Sequence, residues 1–207
     1  MPDHFNPTLG GLIALAAALG TALLIWAIHP LLVRYALARP NARSSHKVPT
    51  PQGAGIAVIA IALVVAALAI FATNGPDQVF AVFGAAILLA IVGAVDDLRT
   101  VAVVPRLLLQ AAAVAIVVIA LPDSLRAIPA LPLVAERALA FIAGLWLVNL
   151  VNFMDGLDWI MVAELVPITA ALVLLGTMGE ISSQTAIVAA SLGGAMLGFA
   201  PFNKPVA

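Results

Sequence analysis

Cysteine is absent from all 207 residues, and charge is scarce: nine Lys and Arg with ten Asp and Glu amount to 9% of the chain. Without cysteine there is no disulfide framework, no thiolate zinc site and no cysteine nucleophile. With so few charges and 64% hydrophobic residues, the chain is not a soluble globular domain, in which about 45–50% apolar and about 25% charged residues are usual. A formal net charge of −1 leaves no basic surplus for a nucleic-acid backbone, so no polynucleotide partner is expected. The first residues also lack the basic stretch of a cleavable signal peptide. No repeat and no soluble domain stand out.

What the chain has in quantity is long apolar runs. A helix needs about 20 mostly apolar residues to cross about 30 Å of hydrocarbon. Seven runs meet or approach that length, at 9–32, 53–72, 79–95, 107–121, 138–151, 160–175 and 185–202. The fourth to sixth are short and are expected to borrow flanking residues. The expected fold is therefore all-α, a polytopic bundle of about seven transmembrane helices forming one membrane domain over residues 1–207. Turn chemistry separates the runs, as in Asn74-Gly-Pro-Asp77, Pro122-Asp-Ser124 and Met178-Gly-Glu180. Counting loops alternately places Arg34, Arg39, Arg43, Lys47, Arg99, Arg106 and Lys204 on one face, and Arg126 and Arg137 on the other. The positive-inside rule makes the first face cytoplasmic and puts the N-terminus outside.

The acids fall on that same face. Asp96 and Asp97 end the third run, and Asn149, Asn152, Asp155 and Asp158 end the fifth. Charges at membrane depth cost about 2.5–3.5 kcal/mol each, and several together repel. A divalent cation explains such a cluster most simply, and hard oxygen donors suit Mg²⁺ or Mn²⁺. The second group recurs every three residues, so neighbours share a helix face for as long as the helix continues, and Gly156 favours a turn before the series ends. The competing account is structural: aspartates capping helices and asparagines bonding between them. For the set together the site is the better account.

The loop 39–55 carries Arg39, Arg43, His46 and Lys47 among three prolines. Its cations can meet phosphate, although taken alone it is more simply a juxtamembrane loop that fixes topology or touches anionic lipid. Gly194 and Gly198 form a small-xxx-small pair for close helix approach, and Trp26 and Trp146 suit a lipid interface. His29, followed by Pro30 at a run's end, fits an interfacial residue better than a ligand. Glu164 either lines the cavity of Asp158 or, slightly better, bonds to a neighbouring helix.

Three segments, Ser45-His-Lys-Val-Pro-Thr-Pro-Gln-Gly-Ala-Gly55, Val92-Gly-Ala-Val-Asp-Asp-Leu-Arg99 and Asn149-Leu-Val-Asn-Phe-Met-Asp-Gly-Leu-Asp158, together resemble the polyprenyl-phosphate N-acetylhexosamine-1-phosphate transferase family. That family initiates bacterial peptidoglycan, O-antigen and teichoic acid synthesis, and the likeness over residues 39–207 is closer to the polymer-initiating branch. The resemblance implies Mg²⁺-dependent transfer of a sugar 1-phosphate from a UDP-sugar to polyprenyl phosphate, with release of UMP, at the cytoplasmic face of a bacterial inner membrane. It implies Asp96 and Asp97 as catalytic residues for acceptor deprotonation or metal positioning. Lys47, Asn149, Asn152, Asp155 and Asp158 become substrate-binding candidates, and Asp97, Asp155 and Asp158 metal ligands. The expected partners are the lipid, the UDP-sugar and the membrane, with a homodimer left open.

Two departures from the family pattern stand out. Trp159 follows Asp158 where the family usually has glycine. The family's later Gly-Asp motif, which supplies a metal-binding aspartate, and its basic loop are absent from the 207 residues. The expectation is accordingly a C-terminally truncated form that inserts in the membrane and shows no detectable transfer alone. Among other functions, a CDP-alcohol phosphotransferase is a poor match, because Asp155-Gly156 is followed by Leu-Asp-Trp rather than Ala-Arg. An ion-coupled transporter would hold its acids near the bilayer midplane rather than at span ends. A catalytically silent fragment is the remaining alternative.

Orientation is directly testable in a chain that has no cysteine of its own. Single cysteines at Ser45 and Thr100 should resist an impermeant thiol reagent in intact cells, while those at Asn74 and Ser182 should react. Labelling of the first pair from outside would overturn the assignment of the basic face.

Overall fold

A computed structural model describes residues 4–35, 37–38, 50–73, 78–98, 101–154 and 158–203. Among them are seven helices long and apolar enough to cross a membrane: α1 (Pro7–Tyr35), α2 (Gly55–Ala72), α3 (Gln78–Leu98), α4 (Val103–Ala120), α5 (Leu133–Met154), α6 (Ile160–Met178) and α7 (Ser183–Phe199). A 3₁₀ turn, Ala200–Phe202, follows α7. Two-residue strands β1 (Leu37–Ala38) and β2 (Thr50–Pro51) pair antiparallel and return the chain between α1 and α2. The all-α expectation holds apart from that short ladder.

Helices begin where local chemistry supplies the missing hydrogen-bond partners. Asn6 Oδ1 accepts from the N–H groups of Thr8 and Leu9 at 2.9 and 3.3 Å, and Pro7 needs no partner as the first helical residue. Ser182 Oγ accepts from Thr185 N–H at 3.2 Å to open α7. α1 runs through Pro30 to Tyr35, so His29 stands inside the helix rather than at its end. α4 and α5 do extend beyond their apolar runs, taking in Arg106, Glu136 and Arg137.

Two compact units result, one from residues 1–75 and 155–207, the other from 76–154. In the first, α7 is the hub, with Ala186, Ile187, Ala189, Ala190, Ser191, Gly193, Gly194, Ala195, Met196 and Gly198 all buried. Its small residues account for this. Lipid offers no hydrophobic drive for helices to associate, so contact depends on close backbone approach. A methyl group added at Gly194 would overlap the Ala14 carbonyl, and one at Gly198 the Ala18 carbonyl. The numbering of those contacts rises together on both helices, so α1 and α7 run parallel. Thr169 against Gly193, and Ala186 against Gly176, make α6 antiparallel to α7. The core is closed by Ala17, Val58, Ala62, Val162, Ala195 and Met196. Trp26 lies 70% exposed on the helix surface, as a lipid-facing residue would.

The second unit holds α3, α4 and α5. Gly144 packs against Val114, and the Arg137 guanidinium donates to the Leu121 and Pro122 carbonyls at 3.0 and 2.7 Å, which sets α5 antiparallel to α4. The twelve-residue link 121–132 is tied down by Glu136 in the first turn of α5. Its Oε2 accepts from Arg126 Nε at 2.6 Å, and its Oε1 from the N–H groups of Ala127 and Ile128.

Overpacking a tight core costs about 1–3 kcal/mol. Gly194→Val should lower the thermal midpoint in detergent accordingly. Gly11→Ala, with nothing within 4 Å of the added carbon, should leave the midpoint unchanged or slightly raised. Equal melting of the two variants would contradict the α1–α7 contact.

Candidate functional site

Helix direction gathers most of the polar candidates at the ends of the two units. In the second unit, the C-terminal turn of α3, the N-terminal turn of α4 and the C-terminal turn of α5 lie at one end. Asp96, Asp97, Arg106, Asn149 and Asn152 are therefore grouped there. In the first unit the N-terminus of α6, the C-terminus of α7 and the β1–β2 pair share one end, which carries Asp158, Trp159 and Asn203. Lys47 and Asp155 lie outside the described residues. Of the expected series, only Asn149 and Asn152 share a helix, because α5 ends at Met154 and Asp158 stands in the turn before α6.

The adjacent aspartates differ in their surroundings. Asp96 Oδ1 accepts from Val101 N–H at 2.8 Å, and its Oδ2 accepts from Arg106 Nη1 at 2.9 Å. Both carboxylate oxygens are thus engaged in joining the end of α3 to the start of α4. Asp97, one residue on, is exposed on the last turn of α3. The amide of Asn149 turns inward on its own helix, donating from Nδ2 to the Leu145 carbonyl at 2.8 Å, while Asn152 is exposed.

At the other unit's end, Trp159 has φ 64° and ψ −8°. Among the described residues no other non-glycine has positive φ. A side chain is disfavoured in that left-handed region, which glycine enters freely. The family's glycine at this position, noted as a departure above, thus has a conformational reason. Here the Trp159 N–H donates to Asn203 Oδ1 at 2.9 Å, and its carbonyl accepts from Ala163 N–H at 2.8 Å to begin α6.

No group of three or more His, Asp or Glu side chains able to hold a metal gathers among the described residues. Asp97 in one unit and Asp158 in the other are each hard oxygen donors by chemistry. Asp96 itself has both oxygens bonded, to the Val101 N–H and the Arg106 guanidinium. Among the described residues Glu164 Oε2 is buried with no hydrogen-bond partner, so the interhelical bond expected for this residue is not found there at that atom. Sequence reasoning missed Arg106 as the partner of Asp96, and Asn203 as the partner of Trp159. The first pairing had a signal in the opposite charges that flank the short link from α3 to α4. The second had none.

Seven spanning helices, with acids and amides collected at helix ends, define a multi-pass membrane protein. Residues 79–207 match the model of glycosyl transferase family 4, and the chain belongs to that family. It is a membrane transferase of the kind that passes a sugar phosphate to a lipid carrier. The match takes in Asp96, Asp97 and the whole series from Asn149 to Asp158, and begins after the segment that holds Lys47. No curated protein matches the chain.

The Asp96 bonds give a graded test. Asp96→Asn keeps an oxygen for Val101 N–H but loses the charge opposite Arg106, a loss of about 0.5–1 kcal/mol for a partly exposed pair. Asp96→Ala removes both bonds and should cost about 1–2 kcal/mol. Identical unfolding midpoints for both variants and the wild type would show that neither bond holds α3 to α4.

Proposed function

We propose that the protein transfers an N-acetylhexosamine 1-phosphate from a UDP-sugar to a polyprenyl phosphate and releases UMP, as the initiating step of a bacterial cell-envelope polysaccharide. The observation that carries this reading is the family match over both polar motifs, combined with the grouping of Asp96, Asp97, Asn149 and Asn152 at one end of their unit. The location proposed is the cytoplasmic face of the inner membrane, where a lipid acceptor enters sideways and a nucleotide sugar arrives from water.

The reaction joins two anions. The acceptor phosphate is already deprotonated enough to attack, so alignment and cancellation of charge dominate the barrier. Bound Mg²⁺ would supply that cancellation at the donor pyrophosphate. Asp97, Asp155 and Asp158 are the proposed metal ligands. Asp96 keeps the end of α3 in register with α4, and so fixes where Asp97 stands. The polar groups of Asn149, Asn152 and Asp158, with Lys47, are proposed to meet the donor.

The test is Mg²⁺-dependent release of UMP, from a UDP-N-acetylhexosamine with polyprenyl phosphate, by the chain and by the chain extended with the family's downstream motifs. Transfer by the extended form should vanish with a chelator. Asp97→Asn, Asp155→Asn and Asp158→Asn should each lower it at least about tenfold, equivalent to about 1.4 kcal/mol of barrier. Full rates in all three variants would leave these acids with a structural role only.

A further inference from the structure

Asn203 belongs to neither polar motif, yet its side chain meets the backbone beside one of them. The Trp159 N–H that it accepts lies in the peptide plane between Asp158 and Trp159, so a bond at that atom fixes the orientation of the whole plane. Without the bond, a tryptophan at φ 64° has reason to relax toward the right-handed or extended regions. Rotation there would carry Asp158 with it.

The other side of the contact is rigid. Asn203 follows the 3₁₀ turn Ala200–Phe202, which contains Pro201, and its own N–H donates to the Ala200 carbonyl at 3.2 Å. That turn continues directly from α7, the most deeply packed helix of its unit. A well-anchored helix thus ends in an amide that holds a disfavoured backbone conformation, at the entrance to α6. Disfavoured backbone geometry persists where the surrounding structure over-determines it, and it concentrates at functional sites.

We propose that Asn203 is a positioning residue for the candidate site: by accepting the Trp159 N–H it holds the turn that carries Asp158 in its working shape. The role rests on the transferase reading above, in which Asp158 meets the donor nucleotide. It predicts a specific rescue. Glycine at position 159 adopts positive φ without a clamp, so Trp159→Gly should remove the need for Asn203.

Two measurements test this in detergent, on the purified form extended with the family's downstream motifs. The first is hydrogen exchange at the Ala163 amide, which closes the first turn of α6 on the Trp159 carbonyl. The second is the affinity for UDP in Mg²⁺. Asn203→Ala should speed exchange and weaken UDP binding, each at least about tenfold, while Asn203→Asp, which keeps an acceptor oxygen, should stay near wild type in exchange. Asn203→Ala combined with Trp159→Gly should return both quantities to within about threefold of the Trp159→Gly variant.

Unchanged exchange in Asn203→Ala would overturn the clamp. Faster exchange with unaltered UDP affinity would overturn its role in the site. Failure of the glycine to restore binding would also overturn it, because Asn203 would then act on the ligand itself. A wild-type protein that binds no UDP would instead overturn the transferase reading, and the positioning role with it. The exchange measurement, which needs no ligand, distinguishes that outcome from failure of the clamp.

Discussion

Hydrocarbon offers the peptide backbone no hydrogen-bond partner, and this constraint organises the rest of the molecule. Each segment that crosses must close its own backbone bonds as a helix, and each must then find neighbours without the hydrophobic drive available in water. The chain meets the second requirement with small residues. α7 is built largely of alanine, glycine and serine, and its backbone reaches that of α1 at Gly194 and Gly198. Among the described residues most charged side chains lie at or near the helix ends, where water and phosphate are within reach, with Glu164 inside α6 as an exception. The placement of the acids follows from the packing requirement as much as from the chemistry they serve.

The two aspartates at the end of α3 show how neighbouring side chains of one type come to do different work. Asp96 is bonded on both oxygens, to the Val101 N–H and to the Arg106 guanidinium. Asp97 stands exposed on the same helical turn. The carboxylate of Asp96 joins two helices, while Asp97 stands at the water-facing end of the same turn.

The existence and order of the seven helices were readable because apolar length is a strong signal and needs no knowledge of neighbours. Their ends were not. Asp96, Asp97, Arg106, Glu136 and Arg137 are helical although they lie beyond the apolar runs, since a charged residue in a terminal turn can reach water or a partner across the link. The three-residue spacing from Asn149 to Asp158 promised a shared face only up to the turn that Gly156 favours, and Asp158 does stand in a turn, after α5 has ended at Met154. Spacing reports a face only while the helix lasts. The grouping of Asp96, Asp97, Asn149 and Asn152 was recoverable, because it needs only alternating helix direction. The Asn203–Trp159 bond was not: it joins residues far apart in the chain, and a tryptophan gives no hint of a left-handed backbone.

The parallel pairing of α1 with α7 has a consequence for biosynthesis. Residues 76–154 form a contiguous unit that can assemble as soon as its last helix has entered the bilayer. The other unit is split between the first helices and the last two, so α1 and α2 enter early and wait through the insertion of three further spans. During that interval the Ala14 and Ala18 face of α1 is covered by lipid alone. Its small side chains leave a surface that fits a helix with glycines in matching positions. α7 completes the pairing only after α3 to α6 have entered the bilayer.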